Sequence, residues 1–135
     1  MTEKEILRGN ELILNFMSKD NKHIVVPDYG GTFISDNLKE LAEYDSSWDW
    51  IMMVVEKIMN MEINDKKVLV EIKSFDRKPF YSCSFFINEK LRIAGIKDEF
   101  YKKNINTEEN SPIQTIWLTV VKFIKWYNKW YNKRE

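Results

Sequence analysis

Ser111-Pro112-Ile113-Gln114 opens the stretch that most limits what this chain can fold into. A serine hydroxyl caps the first free backbone N–H groups, proline suits the first helical position, and glutamine three residues after the serine completes a capping box. Ile113, Ile116, Trp117, Val120, Phe123, Ile124 and Tyr127 then recur at helical spacing. The pattern predicts a long third helix, running to about residue 132, with a broad apolar stripe. Such a stripe must be covered, so the rest of the chain has to supply a layer for it.

The earlier residues offer that layer. Thr2 with Glu5 is a second capping-box pattern, and Ile6, Leu7, Ile13, Leu14 and Met17 predict a first helix over about residues 3–17. His23 to Pro27 and Thr32 to Ile34 are β-prone runs flanking Asp28-Tyr29-Gly30-Gly31, which predicts a hairpin with Pro27 on an edge. Ser46 or Ser47 can cap a second helix, in which Trp48, Ile51, Met52, Val55, Ile58 and Met59 form an apolar surface wide enough to be buried on more than one side. Asn64-Asp65 marks a turn. Lys67 to Ser74 and Phe80 to Ile87 alternate in polarity about the turn Asp76-Arg77-Lys78-Pro79, a second hairpin. Leu91 to Ile96 fits a further strand, whereas residues 97–110 lack periodicity and read as a mobile polar loop. The expected fold is α+β: a layered α/β/α sandwich, with three main helices and a mostly antiparallel sheet of hairpins, as a single domain over residues 1–135.

Composition narrows the chemistry. Of 135 residues, 44% are apolar and 14% aromatic, ample material for a core. One histidine, His23, and one cysteine, Cys83, are too few for a zinc site without several carboxylates, and no phosphate-loop, dinucleotide or nucleophile-elbow motif is present. No metal or cofactor is therefore expected. His23 has Asp20 and Asp28 nearby in sequence, a thin basis for a hydrolase; Cys83, between Tyr81 and Phe85, reads as a small buried apolar residue. Asp49 and Glu56 stand two helical turns apart, roughly 10 Å, too far to share a cation unaided. The charged N-terminus has no secretory pattern and no apolar run approaches a bilayer span, so a cytoplasmic protein is expected.

The 21 basic and 21 acidic groups cancel only in sum. Residues 1–60 carry 6 basic and 11 acidic side chains, and residues 111–135 carry 5 and 1. Solvated helix faces of opposite sign explain this most simply, though such poles can also steer a partner. A general nucleic-acid binder would need a wider basic surface than the last helix supplies.

Two stretches, Tyr44-Asp45-Ser46-Ser47-Trp48-Asp49-Trp50-Ile51-Met52-Met53-Val54-Val55-Glu56-Lys57-Ile58 and Ile116-Trp117-Leu118-Thr119-Val120-Val121-Lys122-Phe123-Ile124-Lys125-Trp126-Tyr127-Asn128, resemble a group of small bacteriophage proteins with the pattern S-x-W-[DN]-W-L-M-P-V-V-E-K-I, a hairpin, and V-V-x-F-I-K-W-Y-N. The opening helix with Gly9-Asn10 and Phe16-Met17 fits too. That group is similar in layout to the phage ABA sandwich domain. The resemblance implies phage origin, an accessory role and an α/β/α layer, and brings no activity with it. Met53 stands where the group has proline, so any kink that residue imposes is not expected here.

Candidate binding residues are Trp48, Asp49 and Trp50 at the start of the second helix, with Lys73, Arg77, Lys78 and Arg92 on or beside the strands. Indoles stack on bases, a helix N-terminus favours anions, and arginine forks grip phosphate. The simpler alternative makes the tryptophans helix anchors, Asp49 a cap and the cations solvated. Trp126, Trp130 and Tyr131 extend past the third helix's main stripe and offer a homo-oligomer interface, although core packing accounts for most of that helix. The leading expectation is a non-enzymatic phage counter-defence protein that sequesters a phosphorylated, nucleotide-derived host immune signal. The alternatives are an inhibitor that binds a host defence protein directly, a structural adaptor and, last, a small hydrolase.

Overall fold

The computed structural model describes residues 2–19, 23–26, 31–34, 38, 41–63, 65–86, 105–109 and 111–131. Its elements follow the order α1 (Glu3–Met17), β1 (His23–Val26), β2 (Gly31–Ile34), α2 (Trp48–Met59), β3 (Glu62–Ile63), β4 (Lys66–Lys67), β5 (Leu69–Ser74), β6 (Tyr81–Phe86), β7 (Ile105–Glu109) and α3 (Pro112–Trp126), the last continuing as a π-helical turn over Tyr127–Tyr131.

Each helix starts where its hydroxyl cap stands. The Thr2 side chain accepts from the Glu5 N–H at 3.1 Å, Ser47 from Trp50 at 3.5 Å and Ser111 from Gln114 at 3.4 Å. All three cap residues are extended, the backbone form that lets a side chain fold back on the first turn. Pro112 occupies the start of α3, where its missing N–H removes no hydrogen bond.

Among the described residues the result is an α+β sandwich of three helices and antiparallel hairpins. β1 and β2 pair from His23–Ile34 to Val26–Gly31, and β3 and β4 form a two-residue hairpin. Asp65 turns that hairpin with a φ of 66°, in the left-handed region that aspartate tolerates better than most residues. The third sheet has the order β5-β6-β7. β7 falls within the stretch expected to be a loop; Ile105–Glu109 instead pairs with β6, from Tyr81–Glu109 to Phe85–Ile105. Its polar composition hid it, because pairing with β6 selects for backbone complementarity rather than for an apolar run. Residues 97–104, the strand expected at Leu91–Ile96, Arg92, and Pro27 with its neighbouring turn lie outside the described residues.

α3 is the shared element of the core. It packs on β6 and β7, while α1 and α2 also pack on it. Phe123 meets Phe85 edge-on at 5.5 Å, and the Thr119 hydroxyl approaches the Cys83 carbonyl at 3.4 Å. Ile116, Trp117, Val120, Phe123 and Ile124 are buried as their spacing predicts. Trp126 is buried as well, with its ring 5.9 Å from that of Phe123, so it belongs to the core rather than to an exposed interface. The side chains of Trp130 and Tyr131 are not among those described. At the far end of α1 the Lys57 ammonium from α2 donates to the Phe16 carbonyl at 2.8 Å, placing positive charge on a helix C-terminus.

Candidate functional site

A helix advances about 100° per residue, so Trp48 and Trp50 are about 200° apart and point to opposite sides of α2. Trp50 faces inward, 2% exposed, with its ring perpendicular to that of Tyr44 at 5.0 Å. Trp48 faces out, 48% exposed. The two indoles therefore do not form one stacking platform. Of the expected trio, Trp48 and Asp49 are accessible and Trp50 anchors the helix.

The accessible side of α2 has an order of its own. Taking Trp48 as zero, Met59 falls at about 20°, Met52 at about 40°, Glu56 at about 80° and Asp49 at about 100°. All five are exposed, Met52 and Met59 at 41% each. Met52 and Met59, counted in the apolar surface expected to be buried, thus lie on the exposed side of α2. Trp50, Ile51, Val54, Val55 and Ile58 satisfy the core, leaving an apolar Trp-Met-Met rail edged by two carboxylates.

A buried polar node holds the start of this helix in place. Asn10, 3% exposed, donates to the Ala42 carbonyl at 3.2 Å and to Asp45 Oδ1 at 2.8 Å, while its own oxygen accepts from Trp117 Nε1 at 2.9 Å. One amide thereby ties α1, α3 and the segment leading to Ser47 together. Gly9 precedes it because a side chain there would collide with the Trp117 ring: an added Cβ would stand 2.2 Å from Cζ2. The sequence signal for this node is a Gly-Asn pair inside an otherwise regular helical stripe, visible once one asks why a helix would carry both.

No protein-family model, curated protein or solved structure matches this chain. Its chemistry has to be taken from its own side chains.

The expected cations sit elsewhere. Lys73 is exposed on β5 and pairs with Glu71 at 3.1 Å; Arg77 and Lys78 are exposed in the β5–β6 turn. The sheet and α2 meet α3 separately, so these cations and Trp48 belong to different layers. Arg92 lies outside the described residues.

Cys83 is fully buried, and burial pushes its thiol up to about 11 against a weaker opposing contact from Thr119. It is a protonated core residue at neutral pH. Tyr44 is also buried, which pushes its phenol above the usual range, and its hydroxyl finds no partner among the described residues. Among the described residues no three His, Cys, Asp or Glu side chains converge as a metal site, and no helix is long and apolar enough to cross a membrane. The side chain of His23 is not described, so the hydrolase alternative gains no geometry.

Proposed function

We propose that this chain works by binding rather than by catalysis, as a phage accessory protein that docks on a host protein through the exposed side of α2. The observation that carries this reading is the rail of Trp48, Met52 and Met59 with Asp49 and Glu56 along one edge. Tryptophan and methionine are enriched at protein interfaces, and anchors spaced i, i+4 and i+11 on a helix fit an apolar groove. The carboxylates specify that groove further, since its rim should carry lysine or arginine on the side facing them. The resemblance to small bacteriophage proteins supplies the setting of a host target.

Sequestration of a phosphorylated nucleotide has less support from the same geometry. Of Trp48 and Trp50 only Trp48 is accessible, and a phosphate approaching the α2 N-terminus would meet the Asp49 carboxylate. The two readings separate experimentally. Tagged wild-type protein and a Trp48→Ser/Met52→Ser variant are used to capture partners from host extract, with Lys73→Ser/Arg77→Ser as a control. A host protein held by wild type and the control, and lost by the α2 variant at unchanged melting temperature, is the expected result. If instead cyclic dinucleotides or ADP-ribose-type compounds raise the melting temperature and no protein depends on Trp48, the sequestration reading replaces this one.

A further inference from the structure

Among the described residues β5 is an edge of the three-stranded sheet, and its exposed side is complementary to itself. In the β5–β6 ladder the Phe75 N–H donates to the Phe80 carbonyl at 2.6 Å, continuing the register that pairs Lys73 with Ser82 and Glu71 with Ser84. Hydrogen-bonded residues alternate along an antiparallel strand, so Phe75, Lys73 and Glu71 bond toward β6 while Val70, Ile72 and Ser74 turn their N–H and C=O groups outward. Among the described residues no strand receives those outward groups.

The side chains along this edge are unusually apolar for a free strand. Ile72 is 47% exposed, Leu69 44% and Phe75 45%. Ile72 shares the face of Cys83, and the Cys83 and Phe85 side is the one covered by α3; Leu69, Glu71, Lys73 and Phe75 lie on the other face. Free edges of this kind are templates for another strand.

We propose that β5 pairs antiparallel with β5 of a second copy of this chain about a twofold axis at Ile72, joining two three-stranded sheets into one of six strands. The register follows from the ladder and the charges. Outward-bonding residues must stand opposite one another, which restricts a twofold within the middle of the strand to Glu71, Ile72 or Lys73. Centring on Glu71 or on Lys73 sets like charges face to face. Centring on Ile72 sets Ile72 against Ile72, Glu71 against Lys73 of the other copy twice over, and Leu69 against Phe75 twice over. Val70 and Ser74 then exchange backbone hydrogen bonds across the junction. Such an interface is isologous, the commonest form of closed dimer. It is separate from the α2 surface and from the C-terminal helix.

Sedimentation velocity and light scattering over a wide concentration range test it on the full chain. Wild type is expected at twice the chain mass, with dissociation favoured by salt because the Glu71–Lys73 pairs are exposed. Lys73→Glu places four carboxylates around the axis and weakens the dimer by at least about tenfold. Glu71→Lys/Lys73→Glu restores unlike pairs and should return most of the affinity. Ile72→Pro removes an outward N–H without touching the β6 ladder and gives a monomer; circular dichroism confirms that it folds, and the charge variants decide the matter if it does not. A wild-type monomer at the highest concentration overturns the proposal, as does a dimer indifferent to Lys73→Glu or one that the charge swap fails to recover.

Discussion

Replacing Gly9 with alanine tests how tightly α1 and α3 are fitted together. The new Cβ would stand 2.2 Å from Trp117 Cζ2 and 2.5 Å from Cη2, where carbon atoms ordinarily rest about 3.5–4.0 Å apart. The indole must retreat by more than about 1 Å. It is tethered, because Trp117 Nε1 donates to Asn10 at 2.9 Å and the same movement stretches that bond. Overpacking costs about 1–3 kcal/mol and a weakened buried hydrogen bond about 1–3 kcal/mol more, while alanine recovers about 1 kcal/mol of helix propensity. The net loss is about 1–5 kcal/mol. With about 2.1 cal/mol/K of unfolding entropy per residue, each kcal/mol corresponds to about 3.5 °C, so the melting temperature falls by about 4–18 °C. Thermal and urea unfolding followed by circular dichroism measure it. In a Trp117→Leu background the collision is gone and the same substitution becomes neutral or stabilising by up to about 1 kcal/mol. Equal effects in both backgrounds, or a rise in the wild-type background, would refute the fit described between Gly9 and the indole.

Three further outcomes follow from buried polar groups. Asn10→Asp removes the donor to Asp45 and sets two carboxylates together, so the variant loses about 1–3 kcal/mol at pH 7 and recovers part of it as the pH is lowered toward 4; a pH-independent loss would contradict the node. Tyr44→Phe keeps the edge contact with Trp50 and drops a hydroxyl with no partner among the described residues, so urea unfolding should show stability unchanged or raised by up to about 1 kcal/mol, and a loss above that counts against the packing. Cys83 has its thiol raised to about 11 by burial, so the unfolded chain ionises first; stability is flat below about pH 9 and drops between about pH 9 and 11 by about 2–3 kcal/mol. Tyr44 adds a fall of the same sign at higher pH. The Cys83→Ala variant should show a shallower alkaline decline, and an identical one removes Cys83 as its cause.

Local chemistry made the helices legible. Thr2, Ser47 and Ser111 are hydroxyl caps followed by periodic apolar residues, and each helix begins there because the cap satisfies N–H groups that nothing else nearby can reach. The buried stripe of α3 was legible for the same reason: its period is a property of the helix itself. What depended on neighbours was not. Ile105–Glu109 is a strand because β6 lies beside it, and its own residues carry no alternating apolar signal. Trp126 could pass for a surface residue until Phe123 and its surroundings enclosed it. In the candidate surface, Trp48 and Trp50 looked like a pair because they are close in sequence, yet helical rotation separates them. Met52 and Met59 looked like core because apolar residues usually are, and only the core's completion by Val54 and Ile58 leaves them outside.

The central place of α3 carries a consequence for the order in which this molecule can assemble. The elements that pack on it, α1, α2, β6 and β7, all precede it in the chain. The hydrogen bond from Trp117 to Asn10 closes a loop of 107 positions. On a ribosome the earlier hairpins and helices emerge with their apolar faces waiting for a partner that has yet to be made. Folding is then limited by long-range closure rather than by helix or hairpin formation, which places this chain among slower folders for its size. Nascent chains halted before residue 112 should be sensitive to protease, and chains released past residue 127 should become resistant in one step.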